Sequence, residues 1–189
     1  MSIQGKIVNI KTSIVGKPVT GDNNEIGYQV ENYLKAEGWP VQSGSGPDIK
    51  LWGIEIKTRN IFATSNQTVG RITERALRIT PYERSSIKQK IQRQIRVYHN
   101  GLFITDAQYY DFSPEYIQEN LREAYEIGRQ KVIEGCDSDW VPGKKNSWAN
   151  FEADKHVTSR QYQFRISEKC YKKLEAMSRL TFDNLFEVV

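Results

Sequence analysis

Residues 46–58 read Gly46-Pro47-Asp48-Ile49-Lys50-Leu51-Trp52-Gly53-Ile54-Glu55-Ile56-Lys57-Thr58. From Ile54 to Thr58 apolar and polar side chains alternate, which is the period of a β-strand with one buried face. Gly53 favours a bend before that strand, and residues 48–51 can form the strand that precedes it. The stretch therefore predicts a β-hairpin whose second strand turns one face to the core and leaves the other face for chemistry.

The polar side chains of this hairpin have the types that phosphodiester hydrolysis needs. Asp48 near the start of the first strand and Glu55 on the second can converge on one ion, and Mg²⁺ prefers a few carboxylate oxygens together with water and phosphate oxygens. Lys57 lies on the same strand face as Glu55, because one residue separates them. Its ammonium can orient water or neutralise charge on a phosphate. A Glu-x-Lys pair alone is common on exposed strands, so the whole string carries the hypothesis.

A helix precedes the hairpin. Apolar residues recur at helical spacing from Asn23 to Glu37, Asp22 or Asn23 can cap the first turn, and Gly38 followed by Pro40 ends the pattern. This helix carries Glu31.

Further elements follow the hairpin. Ser85 or Ser86 can cap a short helix, two strands flank the turn at 99–101, and Ser113-Pro114 opens a helix that Gly135 ends. A strand at 162–166 and a helix from 167 close the pattern, residues 61–80 give no clear element, and residues 136–150 predict a linker. The expected fold is an α/β domain with a central mixed β-sheet flanked by helices, a single domain over 1–189 with its core at about 23–135 and a basic strand and helix at 150–189.

Composition places the chain among folded globular proteins. Of its 189 residues 38% are hydrophobic and 26% are charged, and the formal net charge is +4. No signal-peptide pattern and no apolar run near the ~20 residues of a membrane span occurs, so a cytoplasmic protein without a membrane partner is expected. Cys136 and Cys170 lack the spacing of metal ligands.

Charge is unevenly distributed along the sequence. Residues 71–98 hold eight Lys and Arg against two acids, and residues 144–179 hold nine against four. Residues 101–139 hold nine acids against three bases. Basic segments of this kind supply non-specific affinity for nucleic acid, although solvated helix faces are an equally good explanation.

The sequence has a helix, followed by Gly46-Pro47-Asp48, six intervening residues and Glu55-Ile56-Lys57. This order resembles the core of the PD-(D/E)xK nuclease superfamily. Within it the chain is most similar to the mismatch-repair nicking endonucleases of the MutH group and the type II restriction enzymes related to them. Residues 27–34 are similar to that group's Gly-x-x-x-Glu-x-x-Leu helix. The resemblance covers roughly residues 23–104 and implies a restriction-endonuclease-like core.

The resemblance also implies site residues. It gives Asp48 and Glu55 the role of metal ligands, Glu31 that of a third acid near the metal, and Lys57 a catalytic role. The group's basic helix-to-strand element resembles residues 86–93, which gives a second catalytic lysine at Lys90, with Lys88 as the alternative. The implied cofactor is Mg²⁺, with Mn²⁺ able to substitute, and the expected ligands are Asp48, Glu55, Glu31 and the backbone carbonyl of Ile56.

The expected partner is double-stranded DNA, and a homodimer is left open. Basic residues expected to contact the DNA are Arg59, Arg71, Lys88, Arg93, Lys144, Lys145, Arg160 and Arg165. The expected function is that of a metal-dependent endonuclease, restriction-like or nicking. A junction resolvase or a phage nicking enzyme would share every core residue, and a DNA-binding module without catalysis is the alternative from another class.

Overall fold

The computed structural model describes residues 10–44, 46–135, 148–154 and 160–176. Its strands are β1 (Ile54–Asn60), β2 (Gln67–Thr73), β3 (Arg93–His99), β4 (Ile104–Asp111), β5 (Ala149–Asp154) and β6 (Gln161–Ile166). Its helices are α1 (Asn23–Ala36), α2 (Glu74–Ile79), α3 (Ser86–Lys90) and α4 (Glu115–Ile133), with further helical residues at 10–14 and 168–176. The expected α/β class is confirmed.

The strands form two three-stranded sheets rather than one central sheet. The first has the order β1-β3-β4, and β1 pairs with β3 in parallel; the second has the order β2-β6-β5, and both of its pairs are antiparallel. The chain divides into two compact units, residues 1–64 with 89–110 and residues 65–88 with 111–189. The single domain over 1–189 stays a prediction.

Unit 1, comprising residues 1–64 and 89–110, packs α1 on the first sheet. Ile26, Val30 and Leu34 on the buried stripe of α1 join Ile54 and Ile56 of β1 in one apolar cluster. The cap of α1 is the predicted Asp22, whose carboxylate accepts hydrogen bonds from the Asn24 and Glu25 amides, and the Glu25 side chain accepts one from the Asp22 amide. This reciprocal arrangement fixes where α1 begins.

The predicted hairpin is wrong in its first strand. Residues 50–52 form a 3-10 turn, and only one β-bridge, between Ile49 and Ile54, is left of the expected ladder. Gly53 ends this turn in the left-handed region at φ 61°, which glycine adopts without steric strain. Alternation in residues 48–51 does not distinguish a strand from a turn this short.

Unit 2, comprising residues 65–88 and 111–189, has an aromatic core. Tyr125 of α4 lies 5.3 Å from Phe151, which lies 4.9 Å from Phe164 between ring centroids. A Cβ at Gly128 would collide with the Phe151 ring, so packing requires glycine at that place in α4. The unpredicted β2 and β5 both flank β6, whose strand pattern was predicted.

Two expected caps gave different results. Ser85 caps α3 as predicted, since its hydroxyl accepts a hydrogen bond from the Lys88 amide at 3.1 Å. Ser113 does not cap α4, because the helix begins at Glu115 after Pro114 and has no side-chain cap. No helix in the described part of the chain is long and apolar enough to cross a membrane.

Candidate active site

The candidate site lies within unit 1, where α1, the segment before the 3-10 turn, β1 and the end of α3 contribute side chains. Asp48 lies just before the turn, and its Oδ2 accepts a hydrogen bond from the Ile56 amide at 2.7 Å. This bond fixes the Asp48 carboxylate at the edge of β1. The N–H and C=O of one residue point to the same side of a strand, so the Ile56 carbonyl also faces that edge.

Glu55 is the most deeply buried acid of the site. Its side chain is 1% exposed, its Oε1 lies 2.7 Å from Lys57 Nζ and 3.2 Å from Lys90 Nζ, and both lysines are about one quarter exposed. Its Oε2 is buried and has no hydrogen-bond partner among the described residues. One carboxylate oxygen is thus shared by two ammonium groups.

The pKa of Glu55 is raised above its ordinary value by burial and by the Asp48 charge, against the opposing effect of Lys57. The pKa of Glu31 is raised by burial and by Asp48, with a smaller contribution from Glu55. Acids that raise each other's pKa repel each other when ionised, and a bound cation relieves that repulsion.

The donor set fits a hard cation that keeps water and substrate ligands. An unpaired carboxylate oxygen buried away from water is costly, and coordination to Mg²⁺ would satisfy Glu55 Oε2. Within the described residues no group of three or more His, Cys, Asp or Glu is placed to hold a metal ion. Glu31, Asp48 and Glu55 therefore do not form a three-acid metal site among the described residues, and metal binding by Asp48, Glu55, Glu31 and the Ile56 carbonyl stays a prediction.

The structure separates the two lysines that the sequence left as alternatives. Lys90 ends α3 and reaches Glu55, whereas Lys88 pairs with Glu83, which also binds Arg122 at 2.7 Å. Lys90 is thus brought to the acids and Lys88 is not. Unit 1 contains all five candidate residues, which are the acids Glu31, Asp48 and Glu55 and the lysines Lys57 and Lys90.

The residues expected to contact DNA lie in varied surroundings. Arg59 is buried and donates to the Ala63 carbonyl at 2.7 Å, and Arg93 donates to the Trp52 carbonyl at 3.1 Å. Arg165 pairs with Glu152, and Arg160 lies 3.5 Å from Glu74. Arg71 is exposed on β2, while Lys144 and Lys145 lie outside the described residues.

Sequence reasoning missed three side chains beside the acids. Gln94 and Arg96 of β3 are fully buried and stand in register with Glu55 and Lys57, so they project from the same sheet face. In the sequence, Gln94 and Arg96 alternate with Ile95 and Val97, and this alternation indicates that the two polar residues share one face of the strand. Lys35 lies 3.9 Å from Glu31, one helical turn away, a spacing that the sequence also displays.

No protein-family model matches this chain, and a comparison with characterised proteins finds no sequence match, so the residues themselves carry the functional interpretation.

Proposed function

We propose that this protein is a metal-dependent endonuclease that hydrolyses phosphodiester bonds of double-stranded DNA. The observation that carries the proposal is the Glu55 carboxylate, with one oxygen bound by Lys57 and Lys90 and the other buried without a hydrogen-bond partner among the described residues. Most buried polar atoms in proteins have a hydrogen-bond partner, so a ligand is expected at this oxygen.

The arrangement of elements in unit 1 supports a restriction-endonuclease-like core. Helix α1 bears Glu31 and packs on the sheet, Asp48 precedes β1, and β1 bears Glu55 and Lys57. The parallel partner β3 follows α3, which ends at Lys90. This is the order that the sequence resemblance implies.

Asp48, Glu55 and the Ile56 carbonyl would hold Mg²⁺ or Mn²⁺, with Glu31 able to bind through water. Such an ion supplies charge neutralisation and makes water more acidic. The all-oxygen donors suit these ions and offer no thiolate or imidazole for zinc. Ca²⁺ is expected to support DNA binding without cleavage, because its larger and looser coordination misplaces the attacking water.

The two lysines have separate tasks in this proposal. Lys57 lies beside Glu55 on the same strand and orients the water whose oxygen forms the new bond to phosphorus. Lys90 approaches Glu55 from α3 and neutralises the charge that develops on the phosphate as the bond to the leaving oxygen breaks. The ion pairs with Glu55 hold both lysines in place.

The test is cleavage of supercoiled plasmid in Mg²⁺ by the wild type, Asp48→Asn and Glu55→Gln. We expect nicked or linear DNA from the wild type, none from either variant, and DNA binding by all three in Ca²⁺. Mapping the ends distinguishes a sequence-specific enzyme from a junction resolvase or a nicking enzyme. Cleavage in excess EDTA, or by either variant at wild-type rate, contradicts the proposal. Binding without cleavage by the wild type identifies a DNA-binding module.

A further inference from the structure

Lys50 differs from the other described lysines of unit 1 in having no acidic partner. Its side chain is exposed and forms no ion pair or hydrogen bond with any described residue. The other lysines that the structure describes in this unit each pair with a carboxylate, and they are Lys11, Lys17, Lys35, Lys57 and Lys90. The positive charge of Lys50 is therefore not balanced within the described part of unit 1.

The arginines of unit 1 are engaged within the protein. Arg59 and Arg93 each donate a hydrogen bond to a backbone carbonyl, and Arg96 is fully buried. Among the described cations of this unit, Lys50 can thus meet an incoming anion without first breaking an ion pair or a hydrogen bond.

The ammonium group of Lys50 lies beside the segment that leads to Asp48. A Cβ built on Gly44 would lie 3.9 Å from Lys50 Nζ, so the lysine side chain lies back over that segment. The Gln42 amide donates a hydrogen bond to the Asp48 carbonyl at 2.8 Å, which ties the start of the segment to the aspartate. Lys50 begins the 3-10 turn two residues after Asp48, and Cα atoms of residues two apart are at most about 7 Å apart.

The same segment also approaches the end of α3. A Cβ built on Gly46 would lie 3.9 Å from Gln89 Oε1, and Gln89 is the residue before Lys90. The segment before Asp48 is therefore close to Lys50 at one residue and to the neighbour of Lys90 at another. A DNA strand that meets Asp48 and Lys90 passes within reach of the Lys50 ammonium group.

We propose that Lys50 binds a phosphate of the cleaved DNA strand that flanks the scissile phosphate. This inference rests on the proposed endonuclease function and adds a substrate-binding residue to it. An anion is the partner that the unbalanced charge of Lys50 favours, and DNA carries a phosphate at every nucleotide. Lys57 and Lys90 pair with Glu55, whereas Lys50 does not, so its contact contributes to binding rather than to the chemical step.

The test measures DNA binding in Ca²⁺ by fluorescence anisotropy at several salt concentrations. Lys50→Ala should reduce the slope of log K against log salt by about 0.9, the contribution of one phosphate contact, and weaken binding about tenfold near 0.1 M salt. Lys50→Arg should keep the wild-type slope, because arginine also binds phosphate. Neither variant should change Tm, since the Lys50 side chain has no partner among the described residues.

Lys11→Ala is the matched control for the loss of one positive charge. Lys11 is also exposed, but its Nζ lies 2.7 Å from Asp106 Oδ1. Its removal should therefore leave the salt slope of DNA binding unchanged.

Two further measurements separate binding from catalysis and locate the contact. At saturating DNA, the single-turnover rate of Lys50→Ala should stay within about threefold of wild type, because a contact made equally with substrate and transition state affects binding alone. Duplexes that carry one neutral methylphosphonate near the mapped cut give the position. One substitution next to the cut should weaken binding by the wild type and have no further effect on Lys50→Ala.

The outcomes distinguish this inference from the proposed function. If the wild type cleaves DNA but Lys50→Ala keeps the wild-type salt slope, the inference is overturned and the nuclease proposal stands. An equal decrease of the slope in Lys11→Ala also overturns it, as does a methylphosphonate scan in which both proteins lose the same affinity at every position. A wild type that neither cleaves nor binds DNA removes the nuclease proposal, and this inference falls with it.

Discussion

At the residue scale, the two oxygens of the Glu55 carboxylate have different surroundings. Oε1 forms ion pairs with the ammonium groups of Lys57 and Lys90, whereas Oε2 is buried and has no hydrogen bond to the described residues. Burial disfavours the charged form of Glu55 and nearby Asp48 adds to that effect. Both effects raise the pKa of Glu55 above its ordinary value.

The raised pKa of Glu55 leads to a prediction about stability and pH. Such a group contributes stability that is fully present below its unfolded pKa, near 4.5, and is lost as pH rises through the folded pKa. In EDTA, the Tm of Glu55→Gln relative to wild type should therefore be higher at pH 7 than at pH 4, as measured by thermal unfolding monitored by circular dichroism.

Glu83 provides a control of opposite sign. Hydrogen bonds from Lys88 and Arg122 lower its pKa, so its contribution is present at neutral pH and is lost as pH falls through the folded value. Glu83→Gln should lower Tm at pH 7 and have little effect at low pH. The same pH trend for both variants would contradict the proposed electrostatics of Glu55.

A second prediction at this scale concerns the two lysines of α3. Lys90→Ala should slow single-turnover cleavage at saturating DNA by about 100-fold, the scale for removing one group that stabilises transition-state charge. Lys88→Ala is the matched control, because Lys88 pairs with Glu83 rather than Glu55. Equal single-turnover rates for Lys90→Ala and the wild type would remove Lys90 from the catalytic residues.

At the element scale, alternation predicted β1, and helical periodicity with a capping residue predicted α1. The first strand of the hairpin was wrong because residues 50–52 close a 3-10 turn, which an alternating pattern does not reveal. Strand β2 was not predicted because the stretch before it is polar and the strand itself contains a glycine. The alternation of apolar and polar residues that is typical of a strand is therefore not visible in the sequence. The meeting of Lys90 with Glu55 followed from the family resemblance, since periodicity alone does not reveal contacts 35 residues apart.

The turn before β1 gives a prediction at this scale. Gly53→Ala should lower the free energy of unfolding by about 1 kcal/mol, because an L-residue in the left-handed region is strained even where its Cβ meets nothing. Gly53→Asn should lose less, since asparagine tolerates that region better. Urea denaturation measures the stability of both variants. An unchanged stability in Gly53→Ala would show that the turn relaxes at no cost.

At the scale of the whole molecule, the basic segments of the sequence carry fewer free charges than a count of Lys and Arg indicates. In unit 2, Arg78 and Arg160 both approach Glu74, and Arg165 pairs with Glu152. Exposed ion pairs of this kind contribute little to stability, and each reduces the positive charge offered to phosphate. Under the proposed function, the exposed Lys169 and Lys172 are expected to contact DNA.

The salt dependence of DNA binding tests this charge distribution. Reversing Lys169 and Lys172 together to Glu should weaken binding and reduce the slope of log K against log salt by about two, since each phosphate contact contributes about 0.9. Fluorescence anisotropy in Ca²⁺ at several salt concentrations measures the slope. Lys131→Glu is the control, because Lys131 lies 3.5 Å from Glu134 in the acidic segment. An unchanged slope in the double variant excludes these lysines from the DNA contact.

The way the chain leaves unit 1 after Thr64 and returns to it at Gln89 has a kinetic consequence. Strand β1 with Glu55, and Asp48 before it, are synthesised before the partner strand β3, and the pairing of β1 with β3 must close a loop that contains Ser65–Lys88. Pairing two parallel strands across such a loop is slow compared with forming α1 or the turn at residues 50–52, whose contacts are local. A nascent chain that ends before Gln89 contains Asp48, Glu55 and Lys57 but neither Lys90 nor β3. Under the proposed function, cleavage competence therefore arises only when the second segment of unit 1 has been translated and has folded against the first.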